Sequence, residues 1–574
     1  MLFRLLRSYT KPYQGRVVLI SVLVLIQAII SLYLPRLNAD IVNQGVSTGD
    51  IAYIWRVGGW MLVLTIVSMA LAVWSAWHNA FVSMAFARAL RRDVFAKVLG
   101  FTAQEVDRFG TPSLITRNTN DIQQVQLLLT VLLSMLLSAP LTMIGGIIMA
   151  LRTNGHMSLL IAVAVPAMAL VIGAMMKVAI PQFRIIQTRI DRINGILREQ
   201  INGVRVIRAF VRDDFERARF SEANEALKNT SLSINRTFAL AMPVLTLILN
   251  FSTIGVVWFG AHLVDSGEMT IGDIGAFISY LMQILFSVMM ATMAVILIPR
   301  AAASAERIQE VLDVQPAIVD PVDPKPQTER GTISFKHVDF RYPGAEEPVL
   351  RNLNFDIRPG AFTAIVGGTG SGKTTVIGML ARFFDVSAGQ VLVGGTDVRE
   401  QSLETLYASM GLVPQRAYLF GGTIRENVKF GAPALTDDEV WRALEIAQAA
   451  DYVREFEGGL DYEVAQGGQN LSGGQRQRLA IARALARKPD IYVLDDSFSA
   501  LDAATDARLR AALQHEMHGS TVLVVAQRVS TVLHADQIIV LDEGSIAGIG
   551  THDELLRTCT AYQEIVGSQL GVSA

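Results

Sequence analysis

The segment Gly367–Thr374 has the residue types and the spacing of a phosphate-binding loop. Its sequence, GGTGSGKT, matches the pattern G-x-x-x-x-G-K-[ST], and it lies between the strand-like Phe362–Val366 and a helical pattern, as the motif requires. Glycines allow backbone N–H groups to close around phosphate oxygens, and the N-terminus of the following helix favours their negative charge. The sequence therefore predicts ATP binding by Gly367, Gly368, Thr369, Gly370, Ser371, Gly372, Lys373, Thr374 and Thr375.

Three side chains are predicted to meet the charge of the nucleotide and its metal ion. Lys373 is expected to reach the β- and γ-phosphates, and the Thr374 hydroxyl to bind Mg²⁺. A second apolar strand, Ile491–Leu494, ends in Asp495, which is suited to hold Mg²⁺ through its water shell. ATP and Mg²⁺ are therefore the predicted cofactors.

The part of the chain that precedes these motifs is too apolar for an ordinary soluble domain. The 574 residues are 51% hydrophobic, the mean hydropathy is +0.37, and the apolar excess lies before about Pro299. Six runs reach the roughly 20 apolar residues that a membrane-spanning helix needs. Their cores are Val17–Leu34, Gly58–Trp77, Leu127–Leu151, Met157–Ile180, Phe238–Val264 and Ile274–Pro299. The sequence thus predicts six transmembrane helices in contact with a lipid bilayer.

The connections between these runs alternate in length and in charge. Asn43–Asp50, Arg152–His156 and Asp265–Asp273 are short and poor in Lys and Arg. The connections after the second and fourth runs are long and basic, and they contain Arg88, Arg91, Arg92, Lys97, Arg108, Arg117, Arg184, Arg189, Arg192, Arg198, Arg205, Arg208 and Arg212. The positive-inside rule places these long connections and both termini in the cytoplasm.

A proline-rich segment separates the apolar half from the motif-bearing half. Gln315–Thr328 contains four prolines and predicts an extended linker. We divide the chain into a transmembrane domain at 1–312, a linker at 313–331 and a nucleotide-binding domain at 332–574. The single cysteine, Cys559, excludes a disulfide within the chain and a cysteine-built metal site. The net charge of -2 gives no basic excess, and we expect no nucleic-acid partner.

A five-residue motif lies between the P-loop and the strand-like Ile491–Leu494. Leu471, Ser472, Gly473, Gly474 and Gln475 read LSGGQ and precede the helical Leu479–Arg487. This motif resembles the signature of ABC transporter ATPases, and the whole chain resembles a bacterial exporter-type ABC half-transporter. The resemblance implies an α-helical six-span transmembrane domain plus an α/β P-loop (ABC-type) nucleotide-binding domain. It also implies a multi-pass protein of the bacterial inner membrane and a dimer, in which the signature faces ATP held by the partner's P-loop.

The resemblance assigns further positions. Tyr342 is similar to the aromatic residue that stacks on adenine, and Gln415 to the glutamine that senses Mg²⁺ and contacts the membrane half. Phe210 and Arg108 lie in stretches similar to the two coupling helices, near Ala209–Glu216 and Asp107–Thr111. The loop that communicates across the dimer would consist of Ser499, Ala500, Leu501 and Asp502.

Two positions depart from the pattern of the active family members. A glutamate that polarises the attacking water is replaced by Asp496, and a histidine that contacts the γ-phosphate is replaced by Gln527. The aspartate carboxylate falls back by roughly 1 Å, a displacement that can cost on the order of 10²-fold in rate. Two such changes at one γ-phosphate resemble the weakly hydrolysing half of heterodimeric ABC exporters. We expect a partner that carries the glutamate and the histidine.

The leading hypothesis is ATP-driven export of apolar or amphipathic molecules, such as drugs or lipids, by a heterodimer with a second ABC half-transporter. Import through the same architecture, for example of siderophores, remains an alternative. So do a homodimeric exporter in which Asp496 works as the base and an ATP-gated channel or regulator.

Overall fold

The computed structural model of the chain describes residues 1–498, 501–517 and 519–570. Its backbone divides into two compact units. The first comprises Met1–Gly100 and Phe109–Val314, and the second comprises Phe101–Arg108 and the chain from Gln315 onward. The predicted linker therefore starts next to the boundary between the units, and a short segment near residue 105 groups with the second unit.

The first unit is helical, and most of its residues lie in a few long helices. They are α1 (Leu2–Thr10), α2 (Gln14–Asp40), α3 (Ile51–Leu99), α5 (Thr111–Thr116), α6 (Ile122–Val131), α7 (Leu137–Thr153), α8 (Ser158–Asn202), α9 (Val204–Ala209), α10 (Asp213–Asp265) and α11 (Ile271–Asp313), and α4 (Ala103–Phe109) is the short helix near residue 105. Among the described residues, six helical stretches are long and apolar enough to cross a membrane. They cover the six predicted runs, so the prediction of six spanning helices is confirmed.

The sequence explains where these helices start and continue. Asp50 caps α3 by accepting a hydrogen bond from the Tyr53 amide at 2.9 Å, and Thr270 with Asp273 forms a capping box at the start of α11. α6 and α7 continue one helical stretch through π-helical turns at Arg117–Asp121 and Leu132–Leu136. Internal prolines are compatible with spanning helices because neighbouring helices and local adjustments satisfy the freed carbonyls.

A buried carboxylate joins two helical stretches of the first unit. Asp121 is fully buried, and its Oδ2 accepts a hydrogen bond from Arg307 Nε at 2.8 Å while its Oδ1 accepts one from Ser304 Oγ at 2.9 Å. Arg117 extends the contact by donating to the Arg307 carbonyl at 2.6 Å and to Glu310 at 2.7 Å. The side chains of Arg307 and Ser304 therefore satisfy a charge that would be costly to bury alone.

The second unit is an α/β domain with twelve strands among its described residues. They are β1 (Ile333–Phe340), β2 (Leu350–Ile357), β3 (Phe362–Gly367), β4 (Ala388–Val393), β5 (Thr396–Asp397), β6 (Met410–Val413), β7 (Gly422–Thr423), β8 (Glu463–Val464), β9 (Ile491–Asp495), β10 (Thr521–Val525), β11 (Gln537–Asp542) and β12 (Ser545–Gly550). The central sheet has the order β12-β11-β3-β10-β9-β6 and is parallel except at β12, and a second, antiparallel sheet has the order β2-β1-β4-β5.

Nine further helices accompany these strands among the described residues. They are α12 (Lys373–Leu380), α13 (Leu403–Ala408), α14 (Ile424–Lys429), α15 (Asp437–Ile446), α16 (Ala450–Glu455), α17 (Gly473–Ala486), α18 (Ala503–Glu516), α19 (His552–Thr558) and α20 (Thr560–Leu570). Strands β9 and β10 are buried along their whole length, as expected for parallel strands covered on both faces. The six-span domain followed by an α/β nucleotide-binding domain agrees with the predicted fold class.

The proline-rich segment follows the surface of the second unit. The Lys325 amide donates to the Glu400 carbonyl at 2.8 Å, and the Thr328 amide donates to the Gly394 carbonyl at 2.8 Å. Nearer its start, the Ala317 amide donates to the Glu105 carboxylate at 3.0 Å. These backbone contacts explain why Phe101–Arg108 and the linker group with the second unit.

Asp121→Ala is expected to lower the free energy of unfolding by about 2–3 kcal/mol, because it leaves Arg307 without its carboxylate and creates a small cavity. Thermal unfolding of the purified chain in detergent checks this. Lys228→Ala, which breaks the exposed Lys228–Glu225 pair, is the control and should cost less than about 0.5 kcal/mol. Equal losses in the two variants would contradict the structural role of Asp121.

Candidate ATP site

The P-loop lies at the carboxyl edge of the central sheet. β3 runs between β11 and β10, and the loop 368–372 connects it to the N-terminus of α12. Gly372 has φ +97°, and a Cβ there would approach Leu350 Cδ2 to 2.5 Å. A Cβ on Gly367 would meet the Leu541 carbonyl oxygen at 2.3 Å. Only glycine fits these two positions, so the sequence pattern has a steric reason in this fold.

Lys373 curls back over the loop. Its Nζ donates hydrogen bonds to the carbonyl oxygens of Gly367 and Gly368, at 2.9 and 2.7 Å. Burial lowers the pKa of Lys373, while the nearby carboxylates of Asp495 and Asp496 oppose that shift. The ammonium therefore sits inside the cradle of the P-loop, where a phosphate oxygen is the partner that its charge favours. The other loop residues, Thr369, Gly370 and Ser371, complete this turn, with Gly370 at φ +85°.

A hydroxyl and a carboxylate meet beside the lysine. Thr374, at the start of α12, shares a side-chain hydrogen bond with Asp495, which ends β9 and is 4% exposed. Burial raises the pKa of Asp495, and the hydrogen bond from Thr374 opposes this shift. A hydroxyl and a carboxylate are hard oxygen ligands, and they fit Mg²⁺ that is also held by phosphate oxygens and water. When bound, the ion would neutralise phosphate charge.

The Asp496 carboxylate accepts hydrogen bonds from two glutamine side chains. Its Oδ2 accepts a hydrogen bond from Gln527 Nε2 at 2.8 Å and a longer one from Gln415 Nε2 at 3.5 Å. Asp496 is 8% exposed, and its backbone has φ +45° with its amide bonded to the Val525 carbonyl. Left-handed backbone at a non-glycine residue carries strain that a surrounding structure must enforce. The three positions that the sequence predicted for catalysis therefore lie together.

The sheet register explains this convergence. In the parallel ladder, Val525 pairs with Ile365 on one side and with Asp495 on the other. The strand ends that lead to the P-loop, to Asp496 and to Gln527 are thus level at one edge. Carboxyl ends of parallel strands are where α/β folds bind ligands.

Tyr342 lies near the first turn of the P-loop helix. Its hydroxyl is 3.1 Å from Thr375 Oγ1, and its ring meets Phe340 and Phe384 edge-on, at centroid distances of 4.8 and 5.3 Å. The ring is therefore fixed by an aromatic cluster, and stacking on adenine stays a prediction.

The signature motif begins a different helix, α17. Ser472 caps it, with Ser472 Oγ accepting from the Gln475 amide at 3.2 Å and Gln475 Oε1 accepting from the Ser472 amide at 2.9 Å. Leu471 is buried, and Gly473 and Gly474 form the first turn. The exposed N–H groups of a helix start favour an anion, which is the property that the predicted role requires.

The remaining predicted residues fall into three places. Ser499 and Ala500 lie outside the described residues. Leu501 is buried. Asp502 caps α18, because its side chain accepts a hydrogen bond from the Thr505 backbone amide at 2.9 Å. Arg108 is in the last turn of α4, which ends before Gly110, and Phe210 follows α9 with 73% of its surface exposed. Their coupling roles stay predictions.

One contact at the site involves a residue that the sequence analysis missed. Gln569 on α20 bonds to the backbone of the segment that carries Gln527. The sequence does indicate that Gln569 lies on the same helix face as Tyr562 and Val566, because the three residues have the spacing i, i+4, i+7. Gln569 itself is exposed, so this spacing does not identify its partner.

Comparison with known proteins decides the family. Residues 17–288 match the model of the ABC transporter transmembrane region, and residues 350–499 match that of the ABC transporter. An uncharacterized ABC transporter ATP-binding protein of Mycobacterium tuberculosis is 45% identical over 574 residues, covering 99% of this chain and 98% of its own. The chain belongs to the ABC transporter family.

Two further proteins match this ABC transporter over nearly its whole length. An uncharacterized ABC transporter ATP-binding protein of Bacillus subtilis is 35% identical over 98% of both chains. The structure of a bacterial Atm1-family ABC exporter with ATP bound superposes with a TM-score of 0.81 at 24% identity, covering 98% of this chain and 99% of that one. The chain therefore has the exporter-type ABC fold, and its nucleotide-binding domain is that of a transporter that binds ATP and uses it to move a substrate across a membrane.

Asp495→Asn is expected to stabilise the folded chain at neutral pH. A carboxyl whose pKa is raised by burial costs folding free energy once it ionises, so stability falls as pH rises from the ordinary aspartate value of about 4 through the raised one. The amide removes this cost. We expect a gain in apparent Tm on the order of 2 °C at neutral pH that shrinks on acidification.

The exposed Asp356→Asn on β2 is the control for this measurement and should leave the apparent Tm at neutral pH nearly unchanged. A loss of stability in Asp495→Asn at neutral pH would show that the ionised carboxylate is favourable where it lies.

Proposed function

We propose that this ABC transporter is one subunit of a heterodimeric exporter, and that its own P-loop serves a weakly hydrolysing ATP site. The observation that carries the proposal is the hydrogen bond from Gln527 Nε2 to Asp496 Oδ2 at 2.8 Å. Both partners are the residues that replace the base and the histidine of the active family members. ATP and Mg²⁺ are the cofactors, with Thr374, Gln415 and Asp495 as the proposed Mg²⁺ ligands.

The chemistry of this pair explains slow hydrolysis. A general base must reach the proton that it removes, and its carboxylate must be available to accept it. The Asp496 side chain is one methylene shorter than glutamate, and its Oδ2 already accepts the amide of Gln527. The neutral amide of Gln527 also supplies no positive charge to the γ-phosphate, unlike a protonated imidazole. The site keeps its phosphate-binding parts and lacks an efficient base.

The signature motif supports a working site elsewhere in the dimer. Ser472 and Gly474 start a regular, capped helix with an intact motif, so this chain can complete an ATP site that the partner's P-loop supplies. A partner with glutamate and histidine would then carry out net hydrolysis, while the site at Lys373 retains ATP. In a homodimer, both sites would depend on Asp496.

A cavity in the transmembrane domain supports an apolar or amphipathic substrate. It has a volume of about 590 Å³ and lies between α2, α7, α8, α10 and α11. Its walls carry flexible and aromatic side chains that include Met242, Met282, Phe286, Met289 and Met290, and none of the lining side chains that the structure describes is charged. Methionine adapts to irregular shapes, so such a cavity suits several related molecules. Drugs or lipids leaving the cytoplasm or the inner leaflet are the proposed substrates.

Affinity purification of this chain from its native bacterial membrane in mild detergent tests the heterodimer. The proposal expects a second ABC half-transporter in equal amount, with glutamate after its Mg²⁺ aspartate. Recovery of this chain alone, as a dimer with steady ATPase activity, would contradict it. Uphill outward flux into inverted vesicles supports export, uphill flux in the opposite direction supports import, and downhill flux alone supports a channel.

The pair Asp496 and Gln527 is expected to behave as one unit in a double-mutant cycle. Asp496→Glu pushes a longer carboxylate against the Gln527 amide, and Gln527→His leaves a short base. With the partner's own site inactivated, each change alone should raise ATP hydrolysis at the Lys373 site less than about threefold. The double variant should raise it on the order of tenfold or more. Asp356→Glu, at an exposed position of β2, is the control. A full gain from Asp496→Glu alone would contradict the coupling.

A charge placed in the cavity should block transport of uncharged molecules. Met290→Lys is expected to lower ATP-driven uptake of an apolar dye into inverted vesicles by about tenfold or more, because a buried ammonium without a partner is costly. Met290→Leu, which keeps the volume, should retain most of the uptake. The thermal stability of both variants is measured alongside. Equal transport by the two variants would place the substrate path elsewhere.

A further inference from the structure

The segment that follows β10 leaves the sheet, and Val529 within it packs into the hydrophobic core, while the Gln569 side chain bonds to its backbone. The Ala526 amide still donates to the Ile365 carbonyl of β3 at 3.1 Å. Beyond it, the Gln569 side chain takes over as partner. Its Nε2 donates to the Gln527 carbonyl at 2.6 Å, and its Oε1 accepts from the Val529 amide at 2.8 Å. One side-chain amide thus pairs with the backbone on both sides of Arg528.

The position of Gln569 is fixed by the packing of α20. Tyr562 and Val566 are buried on the face of α20 that Gln569 continues, and they belong to the hydrophobic core of the nucleotide-binding domain. The Tyr562 hydroxyl lies 2.8 Å from His552 Nδ1 on the preceding helix. The amide of Gln569 is therefore carried by an anchored helix, and both of its hydrogen-bonding atoms are used.

Two hydrogen bonds of Gln569 and one of Gln527 connect α20 to the ATP site. Gln569 holds the backbone of residues 527–529, and the side chain of Gln527 in turn donates to Asp496 Oδ2 at 2.8 Å. A backbone segment that lacks sheet pairing has more freedom, and its side chain would point less consistently. Fixing the backbone at Gln527 therefore fixes the amide that bonds to Asp496.

We propose that Gln569 is a positioning residue of the ATP site, which acts through Gln527 and does not touch the nucleotide. It holds the segment 527–529 so that the Gln527 amide stays on Asp496, at the γ-phosphate side of the site. The inference rests on the proposed placement of Gln527 beside the γ-phosphate. Its consequence is selective, because retention of ATP depends on this segment and retention of ADP does not.

Hydrogen exchange of the purified full chain, together with any partner that co-purifies, tests the contact directly. Gln569→Met keeps the length and apolar packing of the side chain and removes both hydrogen bonds. We expect faster exchange in the peptide that contains Val529 and unchanged exchange in β10, Thr521–Val525. The control is Ser568→Ala, since the Ser568 hydroxyl donates to the Ile565 carbonyl of its own helix. Unchanged exchange at Val529 would overturn the proposal.

Nucleotide release from the same preparations tests the consequence. Gln569→Met is expected to speed dissociation of Mg·ATP by roughly tenfold, the effect of losing one to two ordinary hydrogen bonds, and to leave Mg·ADP release within about twofold. Ser568→Ala should change neither. A merely structural loss would accelerate both nucleotides alike and lower the unfolding temperature, and that result would overturn the positioning role.

Gln527→Ala in parallel separates this proposal from the function on which it rests. If Gln527→Ala speeds Mg·ATP release selectively, as Gln569→Met does, both the assignment of Gln527 and the role of Gln569 are supported. If Gln527→Ala leaves Mg·ATP release unchanged, the assignment of Gln527 to the γ-phosphate is overturned. The exchange measurement at Val529 then decides on its own whether Gln569 holds the segment.

Discussion

The parallel pairing of β3, β10 and β9 is the constraint on which the ATP site depends. Because Val525 lies between Ile365 and Asp495 in register, three strand ends are level at one edge of the sheet. The chain leaves the sheet at this edge in three places, which carry the P-loop, the carboxylates and Gln527. A slip of one residue in any pairing would turn each of these side chains to the other face. The buried apolar strands hold that register by packing.

The same edge concentrates groups that are costly to bury. Lys373 has a lowered pKa and Asp495 a raised one, both chiefly because of burial, so each charge is less favourable here than in water. Such costs are characteristic of functional sites, where a bound ligand can offset them. The Asp496 carboxylate lies beside them and accepts hydrogen bonds from the side-chain amides of Gln527 and Gln415. These two hydrogen bonds underlie our proposal that the site binds ATP and hydrolyses it slowly.

Local sequence patterns were enough to predict the six helices and the phosphate-binding loop. Each apolar run is long enough to span a bilayer by itself. The glycine pattern of the P-loop also has a steric cause, because a Cβ at Gly367 or Gly372 would collide with neighbouring atoms. Contacts between distant parts of the chain were beyond such patterns. Neither the pairing of Asp121 with Arg307 nor that of Gln569 with residues 527–529 leaves a local signature strong enough to identify the partner.

Identification of the nucleotide that remains at the Lys373 site tests the account most directly. The purified assembly would be loaded with radiolabelled Mg·ATP, allowed to turn over, freed of unbound nucleotide and denatured, and the released nucleotide separated. The account predicts about one intact ATP per assembly after many turnovers, lost in a Lys373→Ala variant. Release of ADP alone, with no retained ATP, would contradict the claim that this site holds ATP and hydrolyses it slowly.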